Sequence, residues 1–212
     1  MITLRSVNVG TLQALSPDTP RKRSGIYKHA IASSVEVTPL GIVGDRVGNL
    51  THHGGPDQAV YLYSESDYAW WDTRGVAPTH PGSFGENLTL SEWWPDVRVG
   101  DRVTIGSVLL ELTGPRIPCG TLATRMADPQ FVKLFRDAER CGAYARVLQR
   151  GTVSAGMAVT LERAPSDFPT ILELYRAWYA TPKPLPLLRH ALETPIGSRL
   201  RAQCERWLNG PP

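Results

Sequence analysis

Cysteine is scarce in this chain, which has only Cys119, Cys141 and Cys204 among its 212 residues. The three cysteines form no Cys-x-x-Cys pair, and their odd number does not suit a disulfide framework. The sequence shows neither the charged start and short apolar run of a signal peptide nor an apolar run of transmembrane length. We therefore expect a cytoplasmic protein with free thiols and no membrane partner.

Several kinds of site are also missing from the sequence. The spacing of cysteine and histidine does not match a tetrahedral zinc site, and there is neither a dinucleotide-binding glycine fingerprint nor an iron–sulfur cysteine set. Internal repeats and low-complexity tracts are absent. The net charge of +3 suits anionic ligands, but it is too small to favour a nucleic-acid surface, so we expect no nucleic-acid partner.

Short strands separated by glycine and proline dominate the first part of the sequence. Residues 103–114 predict two strands around a Gly-Ser turn, and residues 146–162 predict two more around Arg150-Gly151. Further strands are expected in 6–15, 33–45 and 58–63. Many short strands in a non-repeating order predict a mainly β fold with some α-helix, built on a closed or nearly closed β-barrel.

Two helices interrupt these strands. Residues 64–67, with the sequence Ser-Glu-Ser-Asp, resemble a capping box, and Gly75 can end the helix that follows. Asp128 and Pro129 suit the N-cap and the first position of a second helix, whose apolar face includes Phe131 and Phe135.

After residue 165 the pattern becomes helical. We predict two units, a β-barrel domain at 1–165 and an appendage of three short helices at 166–212. Three helices bury too little apolar surface to stand alone, so the appendage should pack on the barrel or on a second subunit, which leaves a homodimer as the alternative. Three arginines, Arg199, Arg201 and Arg206, are interpreted as a solvated helix face.

One cysteine stands in an unusual setting, the stretch Pro-Arg-Ile-Pro-Cys-Gly at 115–120. Pro118 fixes its own backbone and Gly120 frees the chain just after, so Cys119 should lie in a loop. Arg116 can lower the pKa of the thiol if it lies near, and the thiolate is the reactive and metal-binding form. The alternative is a buried, inert cysteine, which is how we interpret Cys141 and Cys204.

Three more motifs carry polar groups beside glycine. In His52-His53-Gly54-Gly55-Pro56-Asp57-Gln58, two glycines allow close approach of a ligand, although a capped surface turn explains the motif nearly as well. The stretch 82–88 places Glu86 and Asn87 after a glycine-rich turn, or is simply a corner of the barrel. In 140–147, Arg140 suits a helix end, and Arg146 begins a strand and can point into the barrel mouth.

Together these motifs resemble the MOSC domain, the family named after the C-terminal domain of molybdenum cofactor sulfurase. The segments HHGGPDQAV, PGSFGENL, PRIPCGTL, RCGAYARV and GTVSAGMAV occur in the family's order. The helical tail is similar to that of the YiiM branch, whose members carry a C-terminal three-helix region. The resemblance covers nearly the whole chain.

The resemblance implies a fold like the β-barrel domain of pyruvate kinase and binding of the molybdenum cofactor, a pterin with a dithiolene and a phosphate. It also carries a family-level association with pyridoxal phosphate. The key cysteine of the family corresponds to Cys119, as catalytic residue and metal ligand. The implied cofactor-binding residues are His53, Gly54, Gly55, Asp57, Gln58, Glu86, Asn87, Arg116, Arg140 and Arg146.

Three functions are open at this point. The first is reduction of N-hydroxylated substrates, such as N-hydroxylated purine bases, with electrons from a separate reductase partner, as relatives in the YiiM branch suggest. The second is sulfur transfer through a persulfide on Cys119. The third is a cofactor-binding module without enzymatic activity, whose tail docks a partner.

Overall fold

A computed structural model describes residues 1–17, 20–49, 53–76 and 79–210. Within these residues, the strands are β1 (Leu4–Val9), β2 (Gln13–Ala14), β3 (Arg23–Ser24), β4 (His29–Ala30), β5 (Val35–Thr38), β6 (Gly41–Ile42), β7 (Val60–Ser64), β8 (Leu88–Leu90), β9 (Arg102–Ile105), β10 (Val108–Pro115), β11 (Ala143–Gln149), β12 (Gly151–Val153) and β13 (Val159–Glu162). The α-helices are α1 (Glu65–Asp72), α2 (Gly120–Arg125), α3 (Phe131–Ala138), α4 (Ile171–Tyr179), α5 (Leu185–Leu192) and α6 (Ser198–Asn209).

Eight strands form one sheet in the order β13-β9-β10-β11-β7-β8-β1-β4. Neighbours run antiparallel, except that β7 and β8 are parallel. An antiparallel bridge joins Thr3, just before β1, to Ala158, just before β13. In addition, the Leu4 N–H donates to the Met157 carbonyl at 2.8 Å. The seven strands from β13 to β1 therefore form a ring, which is completed by a short bridge and not by a full ladder of hydrogen bonds. The mainly β architecture predicted from the sequence is therefore present.

The predicted hairpin at 103–114 is confirmed, because β9 and β10 pair around Gly106 and Ser107. The interpretation of 146–162 as two strands was too simple. Three strands occur in this stretch: β11 and β13 belong to the large sheet, whereas β12 pairs with β5 in a separate three-stranded sheet. The backbone at Gly151 passes so close to Ser107 that a Cβ would lie 2.2 Å from the Ser107 Oγ. This crowding marks the point where the chain leaves one sheet for the other.

The two predicted internal helices are present, with different boundaries. Ser64 caps α1 as expected, accepting a hydrogen bond from the Asp67 N–H at 3.1 Å. Regular α3 begins at Phe131 and not at Pro129. The reason is that the Phe131 N–H bonds back to the Asp128 carbonyl at 3.0 Å, which makes a tight turn before the helix.

Aromatic side chains fix α1 and α3 against the sheet. The ring of Phe84 lies 5.2 Å from Tyr63, 5.7 Å from Trp71 and 5.6 Å from Phe135, measured between centroids. The Trp71 Nε1–H donates to the Tyr63 hydroxyl at 2.8 Å, so this polar pair is satisfied inside the core. The segment between β10 and α3, which contains Cys119, is thereby anchored at both ends.

The three helices predicted for the tail are α4, α5 and α6, and α4 packs against β10 of the same chain. Leu174 and Tyr175 are almost fully buried, and the Tyr175 hydroxyl donates to the Phe135 carbonyl at 3.1 Å. The division into units at residues 165 and 166 stays a prediction, as does a homodimer. In the described ranges, each helix falls short of the length and apolar character needed to cross a bilayer.

Packing of the tail on its own sheet can be tested with Leu174→Ala. Leu174 is 1% exposed, and a truncation there should lower the free energy of unfolding by about 2–5 kcal/mol. The matched control is Leu185→Ala in the same tail, where the side chain is 38% exposed and a change of under about 1 kcal/mol is expected. Urea unfolding measures both. Equal midpoints for the two variants would contradict a core shared by the tail and the sheet.

Candidate functional site

Cys119 lies in the short connection between the end of β10 and the start of α2. Its backbone is extended, with φ of −136° and ψ of 169°, and it precedes the first helical residue, Gly120. Pro115 and Pro118 restrict the backbone on the N-terminal side. The thiol is half-buried, in the connecting segment that the Pro-Cys-Gly pattern predicts.

His53 reaches Cys119 from a distant part of the chain. Its Nε2 lies 3.8 Å from the Cys119 Sγ. His53 precedes Gly54 and Gly55, whose φ angles of +69° and +84° lie in the left-handed region that glycine adopts without strain. A short 3-10 turn, Pro56–Gln58, then leads towards β7. His52, the other histidine of the motif, lies outside the described residues.

Arg116 is the cation beside this thiol. Its side chain is buried, and its guanidinium carbon lies 5.9 Å from the Tyr61 ring centroid and 5.2 Å from that of Phe135. Aromatic faces favour a cation at such distances. Among the described residues, the buried Nη1 of Arg116 has no hydrogen-bond partner. A buried donor without a partner is costly, so this nitrogen is suited to an anionic ligand.

The Cys119 thiol is acidic in this setting. Burial alone would raise its pKa, but the hydrogen bond with His53 and the positive charge of Arg116 outweigh that effect and lower the pKa from 9.0 to about 6. The thiolate is therefore the main form at pH 7. Burial instead raises the pKa of Cys141 far above its ordinary value and that of Cys204 to about 11. Because their pKa values are raised, both of these thiols stay protonated at pH 7, and we interpret them as inert packing residues.

A cleft of about 780 Å³ opens beside Cys119 and holds an excess of positive charge. We call it the cation-lined cleft; its cationic lining residues are Arg21, Lys22, Arg23, Lys28, Arg46 and Arg116. His53, Gly54, Gln58 and Asn87 also line it. The basic run Arg21-Lys22-Arg23 is visible in the sequence but belongs to none of the predicted motifs. The cleft has the size of a small-molecule site, and its charge favours an anionic occupant.

Asn87 links the cleft to the strands behind it. Its Nδ2 donates to Asp45 Oδ2 at 2.9 Å, and its Oδ1 accepts from the Tyr61 N–H at 3.1 Å. Asp45 also forms a buried ion pair with Lys28. Burial lowers the pKa of Lys28 despite this carboxylate. No sequence pattern marks Lys28 and Asp45 as a pair, because they come from separate loops.

Five of the predicted site residues are not part of the cleft lining: Gly55, Asp57, Glu86, Arg140 and Arg146. The Glu86 carboxyl is fully buried in the core, where its Oε1 accepts from the Tyr68 hydroxyl at 2.7 Å and the Gly82 N–H at 2.6 Å. Burial raises its pKa. Arg140 pairs with Asp67 of α1 at 2.5 Å and stacks on Trp70 at 4.6 Å. Glu86 and Arg140 are therefore held by contacts within the protein.

Asp57 and Arg146 connect the loop that carries His53 to the tail. Arg146 Nη2 lies 3.0 Å from Asp57 Oδ1, and Asp57 Oδ2 accepts from the Ser198 N–H at the start of α6 at 2.8 Å. An anionic group at this end also complements the helix dipole. Arg146 therefore faces Asp57 and the carbonyl of Pro195 instead of the cation-lined cleft. His53, Asn87, Arg116 and Cys119 converge as expected, and Arg146 does not.

The interpretation of the tail arginines as a solvated face is wrong for Arg199 and Arg201. Arg199 Nη1 donates to the Gly54 carbonyl at 2.8 Å and to Gln58 Oε1 at 2.5 Å, and its Nη2 donates to the His53 carbonyl at 3.1 Å. Arg201 donates to the carbonyls of Leu192, the last residue of α5, and of Thr194. A planar guanidinium can hold several acceptors in fixed directions. Arg199 thus holds the loop that carries His53.

The acidic thiol makes a pH-dependent prediction. Site-resolved alkylation of Cys119 should rise with pH, reach its midpoint at about 6 and level off above about 7. His53→Ala should move the midpoint upward, towards the value of about 8.5 for an ordinary thiol, because the hydrogen bond to the thiolate is lost. His29→Ala, an exposed histidine, should leave it unchanged. A wild-type rate still climbing between pH 8 and 9 would contradict the acidic thiol.

Arg199 gives a second, related prediction. Arg199→Gln should also raise the alkylation midpoint, because the loop that presents His53 loses three hydrogen bonds. Arg206→Gln is the matched control on the same helix, since Arg206 donates only to Gln203 in the contacts observed. Mass spectrometry of the alkylated peptide over a pH series measures both. An unchanged midpoint in a folded Arg199→Gln variant would show that the loop does not depend on α6.

Comparison with known proteins agrees with this geometry. The MOSC domain family matches residues 49–160, more than half of the chain. YflK of Bacillus subtilis (strain 168), an uncharacterized protein, is 32% identical over 157 residues, covering 74% of this chain and 71% of YflK. Protein YiiM of Escherichia coli (strain K12) is 30% identical over 183 residues, covering 82% of this chain and 78% of that protein.

Two further comparisons bear on function and fold. A protein of Gibberella moniliformis named Reductase is 31% identical over 180 residues, which cover 82% of this chain but 32% of that protein. The crystal structure of YiiM from Geobacillus stearothermophilus has a TM-score of 0.81 and 25% identity, covering 98% of this chain and 100% of that one. The matches carry no support for pyridoxal phosphate. The chain belongs to the MOSC domain family and, within it, is a YiiM-like protein.

Proposed function

We propose that this chain binds the molybdenum cofactor in the cation-lined cleft and reduces N-hydroxylated compounds, such as N-hydroxylated purine bases, with electrons from a separate donor protein. The observation that carries the proposal is the Cys119 thiolate beside Arg116, whose buried Nη1 lacks a partner among the described residues. The association of MOSC domains with this cofactor supports it. The relative named Reductase supports a reductive reaction, although that name belongs to a much longer protein.

The residues of the cleft fit the cofactor. A thiolate is a soft ligand that suits a soft metal centre, and Cys119 supplies one. In the described part of the chain, no group of three or more His, Cys, Asp or Glu side chains could hold a metal ion. A metal at Cys119 would therefore take its other ligands from the bound group, as a dithiolene allows. Arg116 and Arg46 offer donors for the phosphate.

The side chains of the site then have separate tasks. When bound, the cofactor supplies two-electron redox chemistry at molybdenum. His53 and Arg116 keep Cys119 ionised, and Asn87 and Asp45 hold Lys28 at the cleft wall. His53 Nε2, 3.8 Å from the thiol sulfur, is placed to hold or move a proton.

The proposed reaction balances in atoms and charge. The N–O bond of R–NHOH breaks, the substrate takes up two electrons and two protons, and the products are R–NH₂ and water. The electrons come from a separate reductase protein, because the sequence has no dinucleotide fingerprint and no iron–sulfur cysteine set.

The acidic thiol also suits sulfur transfer, which is the second candidate function. A thiolate with a pKa of about 6 can attack the outer sulfur of a donor persulfide, form Cys119–S–S⁻ and release the donor thiolate. The excess of cations along the cleft favours the first candidate, because a bound anionic cofactor uses them, whereas a persulfide on Cys119 adds one negative charge beside Arg116.

Metal analysis separates the candidates. Protein made in a host that synthesises the cofactor should contain molybdenum and pterin at near stoichiometry and reduce N-hydroxylated adenine in the presence of a reductase. Cys119→Ala should lose the metal and the activity, whereas Cys204→Ala, which removes an inert thiol, should keep both.

Other results would favour the alternatives. Cyanide-releasable sulfur without molybdenum would identify a sulfur carrier, and bound cofactor without reduction would identify a binding module. A folded Cys119→Ala variant with a full rate of reduction would overturn the assignment of this thiol.

A further inference from the structure

A second cavity of about 710 Å³ runs between α6 and the two segments 53–58 and 113–119. We call it the α6 groove; its defining residues are Pro115, Ile117, Pro118, Trp178, Leu200 and Gln203. It meets the cation-lined cleft along a shared wall that includes His53, Cys119 and Tyr144. The thiol therefore lies between two spaces, one built by the β-sheet loops and one completed by the tail.

The two spaces differ in chemistry. The cation-lined cleft presents arginine and lysine, whereas the α6 groove is lined by the apolar side chains of Pro115, Ile117, Pro118, Trp178 and Leu200 together with polar and charged groups. The polar and charged groups include Asp57, Ser198, Arg199, Gln203 and Arg206. An apolar cavity with a small number of polar groups is the usual form of a site for an aromatic small molecule. The proposed reaction needs such a place, since the substrate must approach the metal centre that Cys119 would hold.

The groove is held in shape by contacts on each side. The Asp57 carboxylate accepts from the Ser198 N–H at 2.8 Å, and the Gly197 N–H donates to the Thr113 carbonyl at 2.9 Å. The Trp178 and Trp207 rings pack edge to face with centroids 5.2 Å apart. Gly114 leaves room for Leu200, because a Cβ there would lie 3.0 Å from the Leu200 Cδ2. A wall fixed in this way can orient a ligand without large rearrangement.

We propose that the α6 groove is the substrate site, and that it binds a planar heterocycle with its N-hydroxyl group towards Cys119. This inference rests on the proposed function for the identity of the reacting group. It assigns the tail a direct part in substrate binding, while the cation-lined cleft keeps the anionic cofactor.

Filling the groove tests the proposal. Ala202 lines the groove and is exposed, so Ala202→Trp should block the space without disturbing the core. We expect it to raise the Kd for adenine, the unreactive product, and the KM for N-hydroxylated adenine by about tenfold or more. Adenine binding is measured by calorimetry on protein with and without cofactor, and molybdenum content should stay unchanged.

One control matches this variant. Glu205→Trp places the same bulky side chain at another exposed position of α6 that does not line the groove. It should leave both constants unchanged. Should Ala202→Trp fold poorly, Ala202→Leu carries the test with a smaller side chain and a smaller expected loss.

The outcomes separate this inference from the proposed function. Adenine binding that Ala202→Trp abolishes supports the groove even if no N-hydroxylated compound is reduced. Reduction with equal KM in Ala202→Trp and Glu205→Trp overturns the groove and leaves the proposed function standing. Absence of both adenine binding and reduction overturns both.

Discussion

The contact between the Cys119 sulfur and His53 Nε2 is the interaction on which the chemistry of this protein depends. The two residues are 66 positions apart in the sequence, so the contact exists only if the sheet, the glycine loop and the β10–α2 connection all take their places. Burial by itself would have made this thiol less acidic. The same burial does make Cys141 and Cys204 inert. Cys119 is more acidic than the other two cysteines because Arg116 and His53 lie beside it.

The position of His53 depends in turn on the tail. Gly54 and Gly55 let the backbone turn, but freedom of this kind does not select one conformation. Arg199 selects it, through hydrogen bonds to two loop carbonyls and to Gln58, and Asp57 connects the same loop to the start of α6. A helix that has the composition of a simple appendage therefore stabilises the loop that carries His53. The helices α4 to α6 also share one hydrophobic core with the sheet.

Local patterns predicted local structure well. The Ser64 cap, the β9–β10 turn and the three tail helices follow from hydrogen bonding and apolar spacing within a few residues. The motifs also identified the residues around the cleft, because Cys119, His53, Arg116 and Asn87 come together. Partners far apart in the sequence were not predictable. Lys28 and Asp45 meet only through tertiary folding, and Arg199 resembles any exposed helix arginine until its acceptors, more than 140 positions away, are located.

The motif residues that lie outside the cleft also show what could not be predicted from the sequence alone. Glu86, Arg140 and Arg146 belong to the motifs, yet they form hydrogen bonds or ion pairs that hold strands and helices together. A charged side chain in a motif can serve the ligand or the scaffold, and sequence alone does not distinguish the two. The structure does distinguish them by position. Cys119, His53 and Tyr144 line both the cation-lined cleft and the α6 groove, whereas Glu86 and Arg140 line neither space.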